Sequence, residues 1–308
     1  MVSEPNRLSR QVVGHVASEL EKMDREDPTQ ADATDMVWHF TTMSGLLGIF
    51  ETKSLFATNL GYMNDWSEIT TGRTHVAQLL FEGMKSIGVD AKIIATLRSS
   101  QMRKWESPNL QEYAVCFCLF NNQLSQWRGY GGGVAIGFDR HKLDGLRTRG
   151  LSLNKMWYLN VENEDLKRFS ADVVINRTFQ QYSVGPARAD LLTGDVGLWT
   201  TILDGVQELL APRCKHGGFA EEHEWRLIYR KPNTRGLPTD FRIRGSSLVP
   251  FVRIGGKRGV LELIKWVTIG PMSRMDEFLT MKALEMTKER YGVSFQISRS
   301  GIPYRTYS

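Results

Sequence analysis

Hydrophobic and polar positions repeat with two different periods along this chain, and the changes of period mark its elements. In residues 8–24, Leu8, Val12, Val16 and Leu20 recur every four positions, which places one apolar stripe on a helix. The polar stretch REDPTQADATD follows as a linker. From Met36 the segment MVWHFTT alternates and is rich in β-branched and aromatic residues, so it predicts a strand. SGLLGIFETK then predicts a short helix capped by Ser44, with Lys53 in the final turn, where the helix dipole favours a cation. SLFATN is a second strand, GYMNDWSE a loop of turn formers, and THVAQLLFEGMKSIG and residues 91–104 are helical.

The second half repeats this mixture. EYAVCFCLF is the clearest strand, followed by the glycine-rich connection NNQLSQWRGYGGG, the strand VAIGFD and then MWYLNV, which continues the sheet. Residues 164–210 predict two or three helices broken near Gly185, Pro186 and Gly194. EHEWRLIYR resumes strand character, LVPFVRI and IKWVTIG follow, MDEFLTMKALEMTKERYG is an amphipathic helix, and FQISRS is a closing strand. Strands separated by helices of unequal length, without an internal repeat, predict an α+β fold rather than a doubly wound parallel sheet. Residues 1–35 are expected to form an N-terminal helix and linker, and residues 36–308 a single domain.

Composition narrows the class. At 308 residues the chain can bury a large core, and 41% hydrophobic with 24% charged residues excludes disordered, collagenous and membrane classes. No apolar run approaches the roughly 20 residues that span a bilayer, and the N-terminus lacks the apolar core of a signal peptide. A cytoplasmic location with no membrane partner is therefore expected. The three cysteines are an odd number, and Cys116 and Cys118 share one face of a strand. Neither a disulfide framework nor a zinc site follows, since no second Cys pair or spaced His pair completes four ligands, and no metal is expected. The net charge of +5 favours an anionic partner such as nucleic acid or a phosphate-bearing cofactor.

Four segments concentrate chemistry. On a strand His39 and Thr41 share one face, presenting an imidazole and a hydroxyl from a rigid element, although a strand histidine also serves as a hydrogen-bonded structural residue. In Glu221-Glu222-His223-Glu224-Trp225-Arg226, strand alternation puts Glu222, Glu224 and Arg226 on one face, where the cation offsets carboxylates that would otherwise raise each other's pKa. The alternative is a solvated charge ladder on an edge strand, which the continuation LIY argues against. Tyr62-Met63-Asn64-Asp65-Trp66-Ser67-Glu68 fits a turn with Asp65 as a cap and Glu68 in capping-box position, and equally a loop holding two rings beside polar groups. Gln126-Trp127-Arg128-Gly129-Tyr130 and the glycines after it lack G-x-G-x-x-G and precede a strand, so they make a tight connection rather than a phosphate loop, while Trp127, Arg128 and Tyr130 remain available to line a pocket.

His39-Phe40-Thr41, Asn64-Asp65 with Glu68, Cys116-Phe117-Cys118 leading to Trp127-Arg128-Gly129-Tyr130, Gly137-Phe138-Asp139, Glu222-His223-Glu224-Trp225-Arg226 and Ser300-Gly301-Ile302-Pro303-Tyr304-Arg305 resemble, in this order, the bacterial family known as domain of unknown function 2971. More distantly, His39-Phe40-Thr41 with Leu46-Leu47-Gly48-Ile49-Phe50 looks like the start of the DarT-like DNA ADP-ribosyltransferases. Tyr62-Met63-Asn64 is similar to their aromatic-Asn segment, and Glu222-His223-Glu224 to the Glu-x-Glu strand of other ADP-ribosyltransferases. The tyrosine of the His-Tyr-Glu signature has no clear counterpart. That resemblance implies a split mixed β-sheet with surrounding helices, gripping nicotinamide adenine dinucleotide (NAD) in a central cleft. The implied activity is transfer of ADP-ribose from NAD to a macromolecular acceptor, nucleic acid ahead of protein, in a toxin or antiphage effector with an antitoxin protein as a further partner.

The same resemblance assigns roles. Loss of nicotinamide builds oxocarbenium-like charge on the ribose, which a fixed carboxylate stabilises more in the transition state than in the ground state. Glu224 is the expected carboxylate, Glu222 would orient or deprotonate the acceptor, and His39 and Thr41 would bond ribose or carboxamide groups. Arg128 or Arg226 would meet the pyrophosphate, and Phe40, Tyr62, Asn64, Trp127 and Tyr130 would complete the NAD site. Two rival readings stand beside this one. The first is a noncatalytic module that binds a nucleotide or nucleic acid in the same cleft. The second is a metal-dependent nuclease using Asp65, Glu68, Glu222 and Glu224, which leaves the His-Phe-Thr strand without a purpose.

Overall fold

The computed structural model describes residues 7–26, 36–63, 67–104, 111–129, 133–146, 150–160, 170–232, 236–255, 259–271 and 274–302. The chain divides into two compact units, each assembled from three stretches of sequence: Met1–Asp32, Asn64–Asn109 and Trp157–Gly218 in one, Ala33–Met63, Leu110–Met156 and Phe219–Ser308 in the other. One division falls between Asp32 and Ala33, close to the expected boundary, but the N-terminal stretch groups with two later stretches of the chain instead of standing apart. The stripe on helix Arg7–Glu26 explains why: Val12, Val16 and Met23 are buried in one apolar cluster with Val76, Leu80, Ile202 and Val206. Arg213, itself buried, grips Asp24 through two hydrogen bonds of 2.7 and 3.1 Å and lies 4.6 Å from the ring centroid of Trp157. The helices Ala171–Gln181, Pro186–Leu192 and Val196–Leu210 break where Gly185, Pro186 and Gly194 predict.

Among the described residues twelve strands run in chain order as β1 Met36–Thr41, β2 Leu55–Asn59, β3 Glu112–Cys118, β4 Val134–Asp139, β5 Leu151–Lys155, β6 Trp157–Leu159, β7 Cys214–His216, β8 Glu224–Arg230, β9 Thr239–Arg244, β10 Ser247–Ile254, β11 Ile264–Ile269 and β12 Gln296–Arg299. Strands β6 and β7 form a separate parallel pair in the helical unit. MWYLNV therefore does not continue the main sheet; Trp157 is drawn into the helical core instead, and LSLNK supplies the strand that pairs with β8. The other ten strands make one sheet in the order β12-β11-β4-β1-β3-β2-β10-β9, with β8 and then β5 branching from β3. Its β11–β12 ladder is parallel and the other ladders are antiparallel, so the architecture is α+β on a mixed sheet.

Helix Met43–Thr52 lays Leu46, Ile49 and Phe50 into the sheet's larger apolar cluster, beside Val37, Phe117, Ile136 and Phe138. Its cap is Thr42 rather than Ser44: Thr42 Oγ1 accepts from Gly45 N at 3.1 Å, and Ser44 lies inside the first turn. Lys53 follows the helix in the left-handed region at φ 53°. NNQLSQWRG contains the short helix Leu124–Gly129.

Candidate functional site

The sheet branches at β3. One edge of β3 pairs with β8 along its whole length, from Glu112↔Arg230 to Cys118↔Glu224. Two strands share the other edge: β2 through Thr58↔Ala114 and Asn59↔Tyr113, and β1 through Trp38↔Cys118. Between those contacts β1 and β2 part, leaving the middle of β3 without a ladder on that side. His39 fills the gap, with its Nδ1 2.9 Å from the carbonyl oxygen of Cys116. A carbonyl only accepts, so Nδ1 carries the proton and Nε2 of the neutral ring is an acceptor. Burial holds the imidazole's pKa below its ordinary 6.5, the Arg242 cation lowers it further, and the bond to Cys116 opposes both. His39 is half-buried, as is Thr41, and its ring centroid lies 5.8 Å from that of Phe117.

Arg242 on β9 donates to Thr58 Oγ1 at 2.7 Å and lies over the ring of Phe251 at 5.7 Å. The register Ala114↔Thr58, Thr58↔Phe251 and Phe251↔Asp240 puts Thr58 and, by alternation, Arg242 on the face of Cys118 and Glu224, opposite to His39, and what links the two sides of the fork is the Arg242 charge felt at the imidazole. Arg242 and Thr58 were not among the residues singled out from the sequence. The signal was present: TDFRIR alternates, and Gly245 stands before SLVPF, as a hairpin requires. In the structure Arg244 pairs with Ser247 across Gly245, which has φ 59°.

The expected acidic face of Glu222, Glu224 and Arg226 is corrected. Residues Gly217–Glu222 form a 3-10 turn, His223 sits at φ 44°, and the strand starts only at Glu224. Glu222 is therefore half-buried in the turn and His223 exposed, rather than both lying on strand faces. Glu224 and Arg226 do share a face, but as a buried ion pair, 2% and 3% exposed. Arg226 Nε donates to Oε1 at 2.7 Å and Nη2 to Oε2 at 3.2 Å, so both carboxylate oxygens are engaged by one guanidinium. Directly paired residues point to the same side of a sheet. The pairs Trp38↔Cys118 and Cys118↔Glu224 consequently put Glu224 on the face of Trp38, and His39 on the opposite one.

The remaining expectations divide. Phe40 and Trp127, 3% and 0% exposed, pack edge to face at 4.7 Å in a small cluster with Trp38, Cys118 and Ala135. They are core on the side away from His39 and present no surface to a ligand; Trp127 Nε1 donates to Asn122 Oδ1 at 3.2 Å. Arg128 is exposed at the end of helix Leu124–Gly129. Tyr62 is half-buried, and its carbonyl oxygen accepts from Arg244 Nη2. Asn64, Asp65 and Tyr130 lie outside the described residues. Glu68 is buried in the first turn of helix Ser67–Ile87, within the helical unit. Among the described residues no three His, Cys, Asp or Glu side chains gather as a metal ion requires, and no helix is long and apolar enough to cross a membrane.

Fold and site define an α+β protein with a branched mixed sheet and a polar fork at the branch. Residues 126–227 match the model of the family described as Protein of unknown function (DUF2971), which supports the family membership read from the sequence. The matched stretch runs from the helix of Trp127 through β8 and includes the Glu224–Arg226 pair, but neither His39 nor Arg242. No curated protein and no solved structure matches the chain.

Proposed function

We propose that the fork between β1 and β2 binds a nucleotide, with NAD as the first ligand to test. The observation that carries this reading is the bond from His39 Nδ1 to Cys116, which leaves Nε2 as an acceptor where the sheet parts. A ribose hydroxyl donates to such a nitrogen, and Arg242, held by Thr58 on the other face of the sheet and close enough to lower the imidazole's pKa, supplies the cation for a phosphate reaching through the gap. Thr41, on the same face as His39, adds a hydroxyl. The chain's net charge of +5 accords with an anionic ligand.

The parting of β1 and β2 from a common strand supports a second reading, ADP-ribosyl transfer, because a split sheet is what that resemblance implies. The carboxylate then differs from the one expected. An oxocarbenium-like centre is stabilised by unneutralised negative charge, whereas both oxygens of Glu224 are held by Arg226. Glu222, in the turn before the strand, is the other carboxylate of the Glu-x-Glu segment and the one this reading tests, and nucleic acid remains the acceptor it favours. Binding without turnover is the reading the geometry supports best.

Calorimetric titration with NAD separates these readings when combined with an assay for released nicotinamide. Binding that falls at least about tenfold in His39→Ala and in Arg242→Met, without nicotinamide release, is the expected result. Release abolished by Glu222→Gln would establish the transferase reading instead. Absence of binding to NAD and to simpler adenine nucleotides would remove both.

A further inference from the structure

The branched sheet ends on β9, and among the described residues no strand pairs with the outer side of that strand. Its six residues pair with β10 in unbroken register from Thr239↔Val252 to Arg244↔Ser247, without the bulge that commonly blunts an exposed edge. The two faces of the hairpin differ in chemistry. On one, Phe241, Ile243 and the cross-strand neighbour Leu248 are 60%, 81% and 60% exposed. On the other, Arg242 and Arg244 alternate with them, and Asp240 is neutralised by Arg253 at 2.9 Å. An apolar patch of this kind along a regular backbone edge marks an interaction surface rather than ordinary exposure.

We propose that the outer edge of β9 takes up an extended segment of a partner protein in which apolar and acidic residues alternate. The added strand completes the backbone hydrogen bonds of the edge. Its side chains fall alternately on the two faces, so apolar residues meet Phe241 and Ile243 while carboxylates fall on the net positive face that carries Arg244 and Arg253. Charge complementarity selects this partner over a second copy of the chain. The charged face of the hairpin carries Arg242, Arg244 and Arg253 against Asp240 alone, so a second copy joined edge to edge with the same face uppermost adds a second net positive set beside the first, whereas an acidic segment offsets it.

A fluorescent synthetic peptide alternating glutamate and valine tests the proposal by anisotropy against the full chain, with a lysine–valine peptide as control. The acidic peptide should bind, more weakly as salt is raised, and the control should not. Ile243→Glu, Phe241→Glu and Arg244→Glu should each weaken binding about tenfold or more; Ile243 and Phe241 are exposed, so their replacement leaves the core intact. No binding, equal binding of both peptides, or binding indifferent to all three substitutions would overturn the proposal. So would elution of the chain as a dimer that Ile243→Glu dissociates, which would assign the edge to a second copy.

Discussion

Glu224 and Arg226 illustrate how one pair of residues can be read in opposite ways. In sequence the acidic side chain is a candidate for chemistry; in the fold it is the buried counter-ion of a guanidinium two residues along the same strand. Removing one member of a buried pair leaves an uncompensated charge, at a typical cost of about 3–5 kcal/mol. Glu224→Gln and Arg226→Met should each lower the urea midpoint strongly, and the double variant Glu224→Leu/Arg226→Met should lose less than the sum. Additive losses would show that the two side chains act separately. Any activity lost in Glu224→Gln is then a consequence of destabilisation. His39 yields a second prediction at this scale. Its pKa is depressed in the folded state, so stability is full above the ordinary 6.5 and falls as pH drops below it, where the unfolded chain accepts a proton that the fork resists. The slope is at most about 1.4 kcal/mol per pH unit for one group. Between about pH 8 and pH 5, His39→Gln should flatten the decline seen in the wild type; parallel curves would contradict this.

At the scale of elements, periodicity made β1, β2, β3, β4, β8, β10, β11 and β12 legible, because one face of each is apolar and the other differs from it. Ends were harder to read, since they depend on single backbone conformations. His223 at φ 44° stops β8 one residue before Glu224, and nothing in EHEWR distinguishes that from two further residues of strand. The cap of helix Met43–Thr52 was displaced in the same way, as Thr42 and Ser44 are both hydroxyl residues within reach of the first turn. Thr42→Ala should cost about 1 kcal/mol and Ser44→Ala distinctly less, measured by thermal unfolding. Lys53→Gly should instead stabilise, by up to about 1 kcal/mol, because a left-handed residue without Cβ avoids the steric penalty. A loss on Lys53→Gly would mean that the lysine side chain contributes more than its backbone strain removes. The fork itself was only half legible: His39 stood out, but the strand β9 that carries Arg242 did not, and pairing between distant strands is not encoded in local alternation.

For the whole molecule, interleaving is the feature that sequence order conceals. Strands and helices of the two units alternate along the chain, so a reading by succession merges them into one domain. The N-terminal helix belongs to the helical unit, where Val12, Val16 and Met23 are almost fully buried. Each such side chain contributes about 1.5–3 kcal/mol, and three together rival the stability of a typical domain. Deleting residues 7–26 should therefore open helices Ala171–Gln181 and Val196–Leu210 to limited proteolysis, whereas unchanged resistance would make that helix an ornament of the unit. The proposed function rests on the other unit and on one imidazole within it. Nitrogen-15 NMR of histidine-labelled protein, with His39 assigned through His39→Gln, reads that group directly. The ring should be protonated at Nδ1, with an unprotonated Nε2 resonance that shifts when NAD is added. A ring protonated at Nε2, or one unmoved by a nucleotide that calorimetry shows to be bound, would contradict this.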